Sequence, residues 1–362
     1  MDLAALAPVI AAGLECFGND AALVAAWNRL ERVAILPTQW LAFSAALART
    51  LLADEHVEIF RVTGANGVAA LLPLCRADGY SAPWRMMGAR EVFEPGDALC
   101  DDPESARLLA EAVARQPRPL WLDRLPAQSP FVSALPAAMK GKGWLLVRQA
   151  LPCPTIALDD RWKDPISCFN SGRRSDFRRY ARRADEFGRV SFETHSPAPD
   201  NFDALFDEAI GVELRSWKKE AGTAIAADRG KEDFFRDFFR SACERGLFRV
   251  SFLRIDGRPA AMQMAVEWRD RYWLFKIGYD EDFGRCSPGA LLMLHTLGEA
   301  ATRGLRSYEL LGNVEPWIAD FWTRERHDYV RLSTYPFNGR GAVAFVVDAL
   351  AWLRKSVARA RR

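Results

Sequence analysis

At 362 residues the chain exceeds the size at which a single hydrophobic core usually stops growing, so two domains are expected. Apolar residues make up 49% and charged residues 27%, a globular balance that excludes extensive disorder. A net charge of +2 excludes a general nucleic-acid binder, whose affinity rests on a broad basic surface releasing counterions.

The start of the chain carries Asp2 and no Lys or Arg ahead of the apolar run 3–14, so a secretory signal is not expected. The first module begins with a strand at 57–62, a turn at 64–67 and a strand at 68–75. The stretch Glu94 to Glu104 is acidic, and Asp97, Asp101, Asp102 and Glu104 precede or open a helix at 104–115. A strand at 120–125, a helix at 130–140 and a strand at 144–149 follow.

Residues 173–189 form a basic helix, with Phe177, Tyr180, Ala181, Ala184 and Phe187 on one side and Arg174, Arg178 and Arg182 as a stripe at i, i+4 spacing. That stripe is either a solvated face or a dock for phosphates, an acidic carrier protein or lipid headgroups. A hairpin follows at 248–255 and 259–268, turning at Asp256-Gly257-Arg258, then a strand at 272–279. A helix at 288–303 places Leu291, Leu292, Leu294, His295 and Gly298 on one side, and Gly304 suits its C-terminal cap. A strand at 307–311, a helix near 316–324 and a strand at 329–334 complete the second module. The same order of elements thus occurs twice, which predicts a diverged internal duplication.

The helix start at 285–290 carries the chemistry. An α-helix presents unpaired amides and a positive dipole end at its N-terminus. Ser287 suits the N-cap, Pro288 the first helical position, Gly289 removes a side chain from the mouth, and Arg285 adds a charge within reach of a phosphate. The acidic counterpart in the first module could not welcome a polyphosphate.

The stretch 272–311 resembles the acetyl-CoA site of the GNAT superfamily in its Tyr279-Asp280 pair, its Ser-Pro-Gly at 287–289, its leucine-rich helix and its strand ending at Leu311-Gly312. More narrowly it is similar to the branch of CelD/BcsL-like and Fem-like proteins, through Arg215-Ser216-Trp217-Lys218, Gly222-Thr223-Ala224 and the basic helix, so that the likeness covers most of 165–335. The resemblance implies an α/β (α+β) fold of two tandem GNAT-like modules, each a mixed, mostly antiparallel sheet flanked by helices. Residues 1–155 would be a degenerate module, 156–340 the acyltransferase domain and 341–362 an amphipathic basic helix.

It further implies direct transfer of an acyl group from acetyl-CoA or acyl-CoA, or from an acyl carrier protein, to a primary amine of an envelope component: an amino lipid such as a sphingoid base, or a polysaccharide amino sugar. Glu315 would be the base and Tyr279 the acid, with Asp280 and His327 as further catalytic groups. Lys276, Arg285, Ser287, Pro288, Gly289 and Ala290 would hold the donor, and Arg215, Trp217, Lys218 and Glu220 the acceptor. The alternatives are a Fem-like aminoacyltransferase using charged tRNA and a non-catalytic binding module.

Cys286 sits where a thiol pKa falls, but no histidine is near it in sequence, and a small side chain in a tight loop explains it. His56, His195, His295 and His327 show no metal-ligand spacing, so no metal is expected. Scattered cysteines without a Cys-x-x-Cys pair suit reduced thiols in the cytosol. The C-terminal segment 342–362 combines Phe345, Val346, Leu350, Trp352 and Leu353 with a basic end, which fits either an interfacial helix on anionic lipid or packing against the first module. The chain is therefore expected in the cytoplasm, with peripheral contact at the inner membrane.

Overall fold

A computed structural model of the chain describes residues 20–64, 67–216, 228–312 and 316–360. In chain order these form α1 (Ala21–Leu30), α2 (Leu41–Thr50), β1 (His56–Gly64), β2 (Gly67–Arg76), β3 (Trp84–Met86), β4 (Leu99–Cys100), α3 (Pro103–Ala114), β5 (Leu120–Pro126), α4 (Pro130–Met139) and β6 (Gly143–Gln149). There follow β7 (Cys153–Ala157), α5 (Ser171–Asp185), β8 (Val190–His195), α6 (Phe202–Leu214), α7 (Arg229–Glu244), β9 (Phe248–Ile255), β10 (Arg258–Trp268) and β11 (Arg271–Tyr279). The chain closes with α8 (Pro288–Thr302), β12 (Ser307–Glu309), α9 (Pro316–Phe321), β13 (Arg326–His327), β14 (Tyr329–Pro336) and α10 (Gly339–Ala360).

Two compact units result, one holding 153–327 and the other holding the described residues up to 152 together with 328–360. The first sheet runs β1-β2-β3-β5-β14-β6, with β4 on β2, and the second runs β13-β7-β12-β11-β10-β9-β8. In the first, β1, β2 and β3 pair antiparallel, β3 and β5 parallel, and β14 lies antiparallel between β5 and β6. In the second, β9, β10 and β11 pair antiparallel, β11 and β12 parallel, and β7 lies antiparallel between β12 and β13. The order and sense of pairing are the same, as a duplication requires.

The structure corrects one expectation. The strand at 329–334, read as the end of the second module, belongs to the first sheet: Leu332 stands opposite Leu122 and Val147. Its place in the second sheet is taken by β7, where Ile156 stands opposite Tyr308. Both slots accept a short apolar strand, so alternation along the chain cannot say which sheet a strand joins.

In the first unit α3, α4 and the sheet enclose Leu72, Leu109, Leu122, Phe131 and Leu135. Helix α7 begins on Asp228, whose side chain accepts from the Lys231 N–H, and it buries Phe234, Phe235, Phe238 and Phe239 at helical spacing. Helix α10 packs in its own unit: Phe345 lies against Trp144 and Tyr335, and the Tyr335 hydroxyl donates to Asp348. Its other face leaves Val343, Val346, Val347, Leu350 and Leu353 exposed. Among the described residues no helix is long and apolar enough to cross a membrane.

Candidate active site

The second unit builds its site where two parallel strands part. β11 and β12 pair over three residues, Arg271–Trp273 with Ser307–Glu309. The chain after β12 then turns onto β7: the Leu310 N–H donates to the Pro154 carbonyl, and Leu311 and Gly312 take φ of 34° and 58°. An extra residue in β11, Phe275, forms a bulge opposite Met264 and Ala265, which twists this strand further. Beside the divergence lies a cavity of ≈ 470 Å³ lined mainly by apolar groups, including Met262, Ile277, Ala290, Met293, Phe321 and Trp322.

Helix α8 opens onto this cavity. Ser287 takes a left-handed conformation (φ 47°, ψ 57°), its side chain makes no capping bond, and the first turn carries no acid. A non-glycine residue held there is strained, and the uncapped turn keeps its positive end available. Tyr279, Ser287, Gly289 and Ala290 line the cavity, and Pro288 is buried behind them. A Cβ on Gly284 or Gly289 would lie 3.8 Å from the Tyr279 ring, an ordinary van der Waals contact, so the ring lies beside both glycines. Arg285 is exposed and pairs with Glu186 at 3.2 Å, and Arg183 of the basic helix donates to its carbonyl. Tyr180, from the same helix, also lines the cavity.

The remaining expected residues divide. Asp280 is buried and acts as a clamp: it accepts from Arg215 Nε and Arg258 Nη2, both at 2.6 Å, and from the Asp282 N–H. Burial alone would raise its carboxyl, but the hydrogen bonds from Arg215 and Arg258 bring it below the ordinary value. These bonds tie Asp280 and Arg215 to the loop that precedes α8. The Lys276 ammonium lies 4.2 Å from the Phe235 ring centroid, on α7. Trp217, Lys218, Glu220 and Glu315 lie outside the described residues.

His327 gains a partner that the sequence did not suggest. Its Nε2 lies 2.9 Å from Glu309 Oε2, and the other Glu309 oxygen accepts from Arg271 at 2.8 Å and Ser307 at 2.6 Å. Glu309 is 2% exposed. Burial would raise this carboxyl, but hydrogen bonds from His327 and Ser307, with the charge of Arg271, hold it below its ordinary value. A buried carboxylate on an exposed imidazole fixes the orientation of the ring. A second buried carboxylate, Glu213 on α6, lies with its Cα 3.2 Å from where a Cβ on Gly278 would be. Its signal was the spacing Phe206, Ala209, Ile210, Glu213 on a buried helix face.

Cys286 is fully buried, its thiol donates to the Phe283 carbonyl, and burial pushes its pKa up, which removes it as a nucleophile. The Phe192 ring stacks on His295 at 4.7 Å. Among the described residues no pair of cysteines forms a disulfide, and no group of His, Cys, Asp and Glu could hold a metal.

Residues 171–318 match the model of the Acetyltransferase (GNAT) domain. No curated protein matches the chain. Among the solved structures that share its fold are the following three. The C-terminal domain of a protein from Agrobacterium fabrum, assigned as a lysylphosphatidylglycerol synthetase, is 16% identical at a TM-score of 0.52, covering 90% of this chain and 95% of that one. FemX is 10% identical at 0.50, covering 84% and 97%. A conserved protein of unknown function from Bacteroides thetaiotaomicron is 10% identical at 0.50, covering 81% and 90%. At these identities the likeness is one of fold.

Proposed function

We propose that this protein is an N-acyltransferase that uses acyl-CoA as co-substrate and acylates a primary amine of an envelope component, an amino lipid such as a sphingoid base or a polysaccharide amino sugar. The observation that carries this reading is the apolar cavity where β11 and β12 part, beside a helix start that has neither a side-chain cap nor an acid in its first turn. Phosphates of the donor would meet the α8 amides, Arg285 and Arg183, and the acyl arm would enter the cavity past Tyr279.

The amine lone pair attacks the thioester carbonyl, the C–S bond breaks, the amine proton passes to a base and the thiolate takes a proton from an acid. Tyr279 lines the cavity and is the proposed acid. His327, oriented by Glu309, is the described candidate to take the amine proton. Glu315 is the rival base, and kinetics of His327→Ala and Glu315→Gln, read as kcat with KM unchanged, decide between them.

Thiol release tests the reading. Acetyl-CoA and longer acyl-CoAs, offered with a sphingoid base or an amino sugar, should release free thiol only when amine is present. Binding of acyl-CoA with no release on any amine would indicate a non-catalytic module. Absence of acyl-CoA binding, with transfer from charged tRNA, would establish the aminoacyltransferase reading.

A membrane-borne acceptor is favoured by α10. Its exposed Val343, Val346, Val347, Leu350 and Leu353 lie on one face, and the sequence continues into Arg354, Lys355, Arg359, Arg361 and Arg362. The full chain should float with anionic liposomes at low salt, and Leu350→Glu should abolish this. No flotation under those conditions would favour a soluble amino sugar.

A further inference from the structure

Among the polar side chains lining the cavity, Tyr180, Tyr279 and Ser287 are partly exposed, whereas Gln263 is 2% exposed. It lies on β10, opposite Ser251 and Ile277, in the otherwise apolar run Ala260-Ala261-Met262-Gln263-Met264-Ala265-Val266. Its carbonyl oxygen is fixed from behind: Oε1 accepts from Thr296 Oγ1 at 2.9 Å and from the Tyr308 hydroxyl at 3.0 Å. Thr296 and Tyr308 are themselves buried and 3.0 Å apart. With the oxygen held, the amide Nε2 is the end left for the cavity, and among the described residues it has no acceptor.

An amide donor turned towards an apolar cavity with no protein acceptor is costly, and a strand interior could hold a Leu or Met here without that cost. The three-residue network also fixes the direction of the donor, as a site does when it reads one ligand atom. We propose that Gln263 is a specificity residue whose Nε2 donates to an oxygen on the bound thioester arm, selecting an acyl chain that carries a hydroxyl or keto group over a plain hydrocarbon chain. This rests on the proposed acyl-CoA site. The same acceptor chemistry is offered by the thioester carbonyl, which every acyl-CoA has.

Calorimetry with CoA, butyryl-CoA and 3-hydroxybutyryl-CoA separates these sources. The wild-type protein should bind 3-hydroxybutyryl-CoA roughly tenfold or more tighter than butyryl-CoA, the ratio expected when one buried donor is satisfied in one ligand and not in the other. Gln263→Glu keeps an oxygen for Thr296 and Tyr308 but removes the N–H, and Gln263→Met removes the whole polar end at similar volume. Both should erase the preference while leaving CoA affinity unchanged. Equal loss for the two acyl-CoAs, with CoA unaffected, would keep Gln263 as a donor but assign its acceptor to the thioester carbonyl, overturning the chain selectivity. Unchanged binding of all three ligands in a folded variant would overturn the proposal. If the wild-type protein binds none of the three, it is the acyl-CoA reading that fails.

Discussion

Two helices open at equivalent places in the two modules, and the chain treats their first turns in opposite ways. At α3 the start is filled with its own acid: Asp102 Oδ1 accepts from the Ser105 N–H at 2.7 Å, and Ser105 Oγ accepts from the Asp102 N–H at 3.1 Å. Glu104 pairs with Arg107, Asp101 with Arg29 at 2.6 Å, and buried Asp97 accepts from Ser129 and from the Ala98 N–H. At α8 the cap side chain makes no capping bond, the first turn has no acid, and Gly289 stands beside the Tyr279 ring. One strand order therefore carries both a helix start capped by its own acid and one left uncapped, a difference set by a few side chains and not by the fold.

The most direct way to break this comparison is to close the open start. Gly289→Trp should fill the cavity mouth and lower CoA affinity at least roughly a thousandfold, about 4.1 kcal/mol, by calorimetry. Arg285→Glu, which reverses a charge at the same start, should weaken it by a smaller factor. The matched change Glu104→Trp at α3 should leave CoA affinity unaltered. Equal loss from both positions would mean that the two starts do not differ in the way their capping suggests.

The buried acids ahead of the helices sharpen it through pH. Burial pushes the Asp97 carboxyl up to about 7, against 3.8 when unfolded. The folded state then holds a proton that the unfolded state gives up, so this stability is full below 3.8 and is lost as pH rises towards 7. Asp280 runs the other way: its carboxyl is lowered in the folded state, so its contribution is present above the unfolded value and is lost as pH falls through the folded one. At about 1.4 kcal/mol per pKa unit, Asp97→Asn should stabilise the first unit at pH 8 by about 2 kcal/mol, less than the full shift because the new amide hydrogens are also buried. Asp280→Asn should destabilise the second unit at pH 8 and lose that effect in acid. At pH 8 the melting temperature should therefore rise for Asp97→Asn and fall for Asp280→Asn; the first shift fades as pH drops from 7 towards 4, the second only as pH drops below 3.8.

Much of this site was legible in the sequence because it is local. Ser-Pro-Gly, the helix that follows it and the Asp256-Gly257 turn each declare themselves within a few residues. The missed parts are those made by distant segments. Asp280 reads as chemistry beside Tyr279, but its two arginines come from positions 215 and 258. Glu309 acquires His327 only because β7 brings β12 and β13 into one sheet. β3 spans three residues and has no alternation to detect. Gln263 was visible as a lone polar residue in an apolar strand, yet its value depends on Thr296 and Tyr308, which nothing in the run announces.

The smallest expected effect tests the caps themselves. Asp102 satisfies a first-turn amide of α3 and favours its positive end, so Asp102→Ala should cost about 1 kcal/mol and lower the melting temperature of the first unit. Ser287 does neither, since its side chain makes no capping bond and its backbone is held in the left-handed region. Ser287→Gly should relieve that strain and leave stability equal or raised by a few tenths of a kcal/mol, because glycine tolerates this conformation. A cost for Ser287→Gly equal to that for Asp102→Ala would show that the serine caps α8 after all, and would weaken the case for a helix start kept open for a ligand. A smaller cost, with CoA affinity retained, would place anion recognition on backbone amides rather than on the serine hydroxyl, and a Ser287→Asp variant should then bind CoA more weakly because its carboxylate occupies the same amides.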